Sequence, residues 1–330
     1  MKSTWVGYQS PLAPAIESFL AYKRSLRCHY DTEEKALRLL DRYLVEQNIT
    51  QISEVRPEVL DSFLISRPRT RPRSYNHLLG VVHRLFEWMV NRELIDYLPL
   101  HAKPRRESNC RIPFLFDASS AKTLLEAAAG LPDNPRAPLR GASYRMIFAM
   151  LFGLGLRVGE VSRLCLKDLD CDRDLLIIRH TKFDKSRLVP FGPRMAEALR
   201  EYLVVREQCW GPGDPDTPMF SFTGGKPIHP GTISQTFHHM VPQLHLSLRP
   251  GRSLPCAHDL RHSFAVATLL RWYRSGVEPA DRLLHLSTFL GHADPASTAV
   301  YLTITAELLQ EANQRFALYA RRLISQEVAP

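Results

Sequence analysis

The sequence predicts two domains: a small all-helical one, followed by a larger α+β one that is mainly α with a small β-sheet. Three observations carry that expectation. The chain has 330 residues, which is long for one hydrophobic core and comfortable for two. From Pro11 to about Leu94, apolar residues recur at intervals of three and four, the helical period. Beyond Pro113 helical patterns alternate with two short runs, DLLIIRH and SRLVPF, separated by TKFDK. Those runs read as two strands of a hairpin with a polar turn.

In the N-terminal part, PAIESFLAYKRSL, EEKALRLLDRYLVEQ, PEVLDSFLISR and YNHLLGVVHRLFEWMVNREL each repeat at helical spacing. They predict a bundle of about four helices, each too short to persist without packing on the others. Between the third and fourth lies RPRTRPRS, which puts Arg67, Arg69, Arg71 and Arg73 on a proline-stiffened loop. Proline blocks helix there and leaves the guanidinium groups extended toward solvent, where they can meet phosphates. A solvated loop is the plainer alternative. The stretch LPLHAKPRRESNCRIP has three prolines, no periodicity and the basic residues Lys103, Arg105 and Arg106. It is the best linker candidate in the chain, giving domains over 1–100 and 114–330 joined by 101–113. The second domain should hold helices in ASSAKTLLEAAAG, SYRMIFAMLFGLG and PRMAEALREYLVVREQ. It should end in an amphipathic helix, AELLQEANQRFALYARRL, with Leu308, Leu309, Ala312, Phe316 and Leu318 among its apolar positions.

The formal net charge of +9 and pI near 9.4 point to a polyanionic partner, because clustered Lys and Arg release counterions when they neutralise phosphates. Charge that merely keeps the protein in solution is the alternative. Six cysteines without a CxxC pair suggest neither a zinc ribbon nor a disulfide framework. The N-terminal MKSTWVGYQSPLAPAIESFL lacks an apolar run long enough for a signal peptide or a membrane span. A cytoplasmic protein in contact with DNA is expected.

Four segments of the second half carry reactive side chains. In GLGLRVGEVSRLCLKDL, Arg157 stands between two buried helices, bracketed by glycines, with Glu160 close enough to orient it by a bidentate contact. An arginine capping the preceding helix is the bland reading. In HTKFDKSRLVPF, Lys182 enters the hairpin turn, from which an ammonium can swing to a leaving oxygen, though turn lysines usually only solubilise. In HDLRHSFAVATLLRWYRSG, His258 and Arg261 fall three apart in the first turn of a helix, so both face one target, whereas His262 is expected to point elsewhere. In LSTFLGHADPASTAVYL, Gly291 and His292 end a helix, Asp294 caps the next with Pro295 at its first position, and Tyr301 sits nearly two turns in. A buried packing tyrosine is the alternative there.

Together, two arginines, two histidines, one lysine and one tyrosine meet the needs of phosphoryl transfer to a protein nucleophile without a metal. Charge builds on the nonbridging oxygens of a pentavalent phosphate and calls for fixed cationic donors. The ordered set resembles the tyrosine recombinase (phage integrase) family, whose pattern is R…K…HxxR…[HW]…Y. The resemblance covers most of residues 115 to 320, while the N-terminal half is similar to the family's core-binding domain only in general character. It implies Arg157, Lys182, His258, Arg261 and His292 as assisting residues and Tyr301 as nucleophile. Lys182 is placed by its match to the family's hairpin, with Lys185 as fallback. The resemblance further implies a two-domain clamp around double-stranded DNA at specific sites, no cofactor and a tetramer on DNA, alone or with related recombinases, with the C-terminal helix docking on a neighbouring protomer; packing of that helix on its own domain is the plain alternative. GVEPADRLLHLSTFLGH is longer than the usual approach to the LGH motif, and TITAELL follows the tyrosine where many members carry a histidine. Both features look more like integrases of transposons and other mobile elements. Two rivals are an inactive DNA-binding accessory protein of the same fold and a metal-dependent nuclease. Against the nuclease, the sequence lacks a cluster of carboxylates on adjacent elements, and His238 and His239 are not at ligand spacing.

Overall fold

The computed structural model describes residues 7–106, 111–179, 186–248, 254–292 and 294–303, with residues 310 and 313. The chain divides into two compact units, Met1–Cys110 and Arg111–Pro330. Lys182, Lys185 and the five apolar positions named for the C-terminal helix lie outside the described residues.

The first unit holds α1 (Ala13–Ser25), α2 (Asp31–Glu46), α3 (Pro57–Ser66) and α4 (Pro72–Val90), the four helices that the periodicity predicts. Their apolar stripes meet in one core that includes Ile16, Phe19, Leu37, Leu40, Leu60, Phe63, Val82, Leu85 and Phe86. Burial of such side chains, about 1.5–3 kcal/mol each, is what lets helices this short persist. A buried carboxylate ties the entry: Asp41 of α2 accepts the backbone N–H groups of Ser10 (2.8 Å) and Gln9 (3.1 Å) ahead of α1. One expectation is corrected here. Arg73 is not on a loop, because α4 starts at Pro72. Proline at the first helical position sacrifices no intrahelical hydrogen bond and its φ already suits the helix, so Pro72 opens the helix rather than blocking it. Leu98, Leu100 and Ala102 pack against this core, and the Asn76 side chain brackets the Arg105 backbone, donating to its carbonyl at 2.8 Å and accepting its N–H at 2.7 Å.

In the second unit α5 (Ala118–Ala129), α6 (Arg140–Gly153) and α7 (Val158–Arg163) precede the sheet. Its strands are β1 (Leu169–Asp170), β2 (Leu175–Ile178) and β3 (Arg187–Pro190), all antiparallel in the order β1-β2-β3. The predicted hairpin is β2 and β3, with Leu176 opposite Val189 and Ile178 opposite Arg187. Two-residue β1 was not anticipated; it is too short to show alternation. Then come α8 (Pro193–Trp210), α9 (Pro230–Met240), α10 (His258–Arg274), α11 (Pro279–Leu290) and α12 (Ala296–Ala299). The polar sequence of α9, PGTISQTFHHM, also gave no clear helical signal, yet Ile233, Phe237 and Met240 share one buried face. The main core gathers around α6, with Tyr144, Ile147, Phe148 and Leu151 all buried. A smaller cluster joins Ala265, Val266 and Leu269 of α10 to Leu286 and Leu290 of α11 and to Tyr301.

Candidate active site

Three consecutive carbonyls at the C-terminal end of α11 position the site. The last turn of a helix leaves carbonyls without intrahelical partners and carries partial negative charge. Here each of three receives an arginine: Arg187 Nε donates to Phe289 O at 2.8 Å, Arg261 Nη2 to Leu290 O at 2.7 Å, and Arg157 Nη2 to Gly291 O at 2.9 Å. Gly291 makes the turn possible. It ends α11 at φ +70, in the left-handed region that glycine adopts without strain.

Arg261 is fully buried, 0% exposed. Its Nη1 donates to Gly155 O at 2.6 Å, while its Nε is buried with no partner among the described residues. Burial, with Arg157 next in effect, pulls this guanidinium down to about 9, so it remains charged at neutral pH. Arg157 stands between α6 and α7, as the sequence predicts, and keeps about a third of its side chain open. Glu160 orients it, although not by the expected bidentate contact. The carboxylate takes Arg157 Nη1 at 2.7 Å and its backbone N–H at 2.9 Å, and the bidentate partner is Arg187, a residue the sequence did not single out. Burial alone would raise the Glu160 carboxyl, but Arg187 and then Arg157 overcome it and hold it at about 2.

The first turn of α10 supplies His258, Arg261 and His262. Its N-terminus is anchored by fully buried Asp259, which accepts the Cys256 backbone N–H at 3.0 Å and a forked pair from Arg111, Nη1 to Oδ1 at 3.0 Å and Nη2 to Oδ2 at 2.6 Å. Forked pairs of this kind fix direction as well as distance. His258 has an exposed outer edge and its ring meets that of His262 edge-on, centroids 4.7 Å apart. Loss of hydration, then His262 and Arg261, sets its pKa below the ordinary imidazole value.

Here a second expectation fails. His262 does not point away: its Nδ1 lies 2.8 Å from the Tyr301 hydroxyl. Tyr301 itself is buried, 4% exposed, in the cluster between α10 and α11. It lies in a 3-10 turn, Val300–Thr303, rather than deep in a helix, because α12 begins at Ala296 and is one turn long. Asp294 accepts the Ala296 N–H at 2.9 Å and Pro295 has helical φ −56 and ψ −28, as the expected cap and first position require. His292 stacks on the Tyr301 ring (centroids 6.3 Å, 17° between planes), and its Nδ1 lies 2.7 Å from Thr298 Oγ1. Burial first, then Arg261 and Arg157, lowers His292 to about 4. Burial raises Tyr301 above the usual phenol range against the pull of the same two arginines.

The arrangement thus offers two fixed cations, neutral imidazoles and a protonated tyrosine side by side in the second unit. Arg179, where β2 leaves the sheet, is anchored to Asp168 at 2.7 Å; Lys182, three residues on, is outside the described residues. No group of three or more His, Cys, Asp or Glu side chains among the described residues is placed to hold a metal, and no described helix is long and apolar enough to cross a membrane.

In the first unit, Arg67 and Arg69 line a cavity of about 450 Å³ with Leu39, Arg42 and Glu46, and their Nε atoms are buried without a partner among the described residues. Arg71, Arg73, Lys103 and Arg106 are exposed. Arg105 is engaged within the unit: its Nη1 donates to Arg69 O at 2.8 Å and its guanidinium stacks over Tyr75 at 4.0 Å.

Comparison with known proteins supplies the family context. Residues 116–307 match the phage integrase family. A Sinorhizobium fredii protein described as an integrase/recombinase, y4rB, is 32% identical over 93% of this chain and 97% of its own. The tyrosine recombinase XerC of Mesorhizobium japonicum is 29% identical over 79% of each chain. Among solved structures, the Tn1549 transposon integrase in complex with transposon right end DNA superposes with a TM-score of 0.64 at 16% identity, over 93% of this chain and 98% of that one. A lambda integrase dimer bound to a core site gives 0.60 at 16% identity, over 88% and 76%. These two structural likenesses speak to the fold.

Proposed function

Because this chain belongs to the phage integrase family of tyrosine recombinases, enzymes that cut and rejoin DNA, we propose that it exchanges DNA strands at specific sites through a 3′-phosphotyrosyl intermediate, in the service of a mobile element. The observation that carries this reading is the convergence on Tyr301 of Arg157, Arg261, His292 and the α10 histidines, with a fully buried arginine whose Nε has no partner among the described residues. A buried cation with a free donor favours an incoming anion, since leaving it unpaired costs several kcal/mol.

In the proposed reaction the scissile phosphate enters against Arg157 and Arg261. Both are held by carbonyls of the α11 terminus and therefore need no reorganisation as charge develops on the nonbridging oxygens. His292, neutral at pH 7, adds a hydrogen bond. Tyr301 Oη attacks, the Oη–P bond forms, and the bond from phosphorus to the 5′ oxygen breaks. Lys182 protonates the leaving oxygen, and His258, with its solvent-facing edge, shuttles protons. Attack by a partner strand's 5′ hydroxyl then reverses the covalent step, so the bond energy is conserved and no nucleotide cofactor is consumed. The helical unit, with Arg67, Arg69, Arg71 and Arg73, and the basic segment Lys103 to Arg106 contact phosphates and close the clamp on duplex DNA. Four protomers assemble on the paired sites, with the C-terminal segment of each docking on its neighbour, and the protein works in the cytoplasm on the cell's own DNA.

The test is incubation with a nicked suicide substrate carrying an end of the protein's own element, followed by denaturing electrophoresis. A covalent protein–DNA band that survives excess chelator and disappears in Tyr301→Phe is the expected result. Clear binding with no band in the wild type would instead mark an inactive accessory protein.

A further inference from the structure

Beside the Arg261 guanidinium, which hydrogen-bonds Tyr301, the imidazole that meets the Tyr301 hydroxyl is that of His262, at 2.8 Å through Nδ1, and not that of His258, which the order of motifs nominates. The two histidines are four apart on α10 and their rings meet at 4.7 Å, so they form a short path from the buried hydroxyl to the exposed edge of His258. Between them in sequence, Arg261 turns inward to the carbonyls of Gly155 and Leu290. One helical turn therefore presents a phosphate ligand and a contact to the nucleophile in fixed relation.

We infer that His262 is the general base for Tyr301, taking the hydroxyl proton on Nδ1 as the Oη–P bond forms and returning it when that bond breaks in rejoining. This rests on the strand-exchange reaction proposed above. The leaving 5′ oxygen receives its proton from the separate acid, so each step is balanced. Two further facts agree with the assignment. Tyr301, 4% exposed, stays protonated at neutral pH because burial raises its pKa. His262 is neutral there, since burial lowers its pKa; Asp259 opposes that shift, and Arg261 and Arg111 reinforce it. In the tautomer protonated on Nε2, the neutral ring offers Nδ1 as an acceptor. The charged and titratable groups around the pair are Asp259, Arg261 and His258 on α10, Arg111 ahead of α5, Arg157 before α7 and His292 after α11. A bound phosphate diester offsets the nearby arginines and so strengthens the imidazole as a base.

A structural contact and a proton acceptor behave differently on a nicked substrate whose scissile phosphate carries sulfur in place of the bridging 5′ oxygen. Thiolate departs without a proton, so the acid drops out of the rate while the base remains. Covalent complex formation would be measured in single turnovers from about pH 5 to about pH 9, for the full-length wild type, Tyr301→Phe, His258→Asn, His262→Ala and His262→Asn. Wild-type product absent in Tyr301→Phe supports the reaction class by itself; no wild-type product overturns that reading and this one together. With product formed, His262→Ala should be slower by about 100-fold or more, and His262→Asn, which restores a hydrogen bond but no basic nitrogen, should not recover the rate. The wild-type rate should fall on acidification below the ordinary imidazole range, and that limb should persist in His258→Asn. A His262→Ala rate within about threefold of wild type, or recovery in His262→Asn, would overturn the base assignment. If the His262 variants melt below the assay temperature, the limb decides: its loss in His258→Asn, or a flat wild-type profile, rejects the idea.

Discussion

Arg187 grips both carboxylate oxygens of Glu160, Nη1 to Oε1 and Nη2 to Oε2, each at 2.9 Å. The pair is nearly closed to solvent, with side-chain exposures of 9% and 3%. Glu160 in turn orients Arg157, and Arg187 Nε reaches the α11 terminus. Loss of Arg187 leaves the buried carboxylate with Arg157 alone, a cost bounded by the roughly 3–5 kcal/mol of a fully stranded charge. Arg187→Leu should therefore lower unfolding free energy by up to that amount in denaturant titrations. Cleavage should fall too, through a displaced Arg157. A denaturation midpoint equal to wild type would contradict the argument.

Acid should weaken the second unit in two adjoining windows. Glu160 is held at about 2, below its ordinary 4.5, so its stabilisation is complete above 4.5 and disappears as pH falls toward 2. His292 is lowered from 6.5 to about 4; the unfolded chain binds a proton there first, so stability declines as pH falls from 6.5 to 4. Each group is worth up to about 3 kcal/mol before solvent screening. Melting temperature against pH should drop through both windows; His258 and His262, also lowered, share the upper one, so His292→Asn should shrink that drop by its own share and leave the lower window unchanged.

Gly155 supports Arg261 through its carbonyl and has φ +62, where a side chain is strained. A Cβ there would lie 2.5 Å from Phe264 Cδ1 and 2.9 Å from Leu290 Cδ2. Gly155→Ala should cost about 1–3 kcal/mol and slow cleavage more than it weakens DNA binding. Binding isotherms and single-turnover rates measured on the same preparation would check this.

Arg71 and Arg73 are exposed, whereas Arg105 is engaged with Tyr75 and the Arg69 carbonyl. If both exposed arginines meet phosphates, Arg71→Ala with Arg73→Ala should reduce the slope of log affinity against log salt by about 2. Arg105→Ala should show a loss of stability as well. An unchanged salt slope in the double variant would remove these arginines from the interface.

Local chemistry made much of this protein legible from sequence. Helical spacing announces α1 to α4, two short apolar runs around a polar turn announce the β2–β3 hairpin, and the glycines at 155 and 291 mark the turns that bear Arg157 and His292, since these signals depend on neighbours a few residues away. Helix periodicity also put His258 and Arg261 on a common face. It could not say what His262 meets: its partner arrives from a turn 39 residues later, at an angle set by how α11 packs on α10. Arg187 was silent for the same reason, because Glu160 and the α11 carbonyls come to it from positions 27 and 102 residues away. Sequence alone determined which reactive side chains exist and on which local turns they ride. Tertiary packing decided which of them touch, because a buried charge or hydroxyl takes whichever partner the fold brings within hydrogen-bond reach.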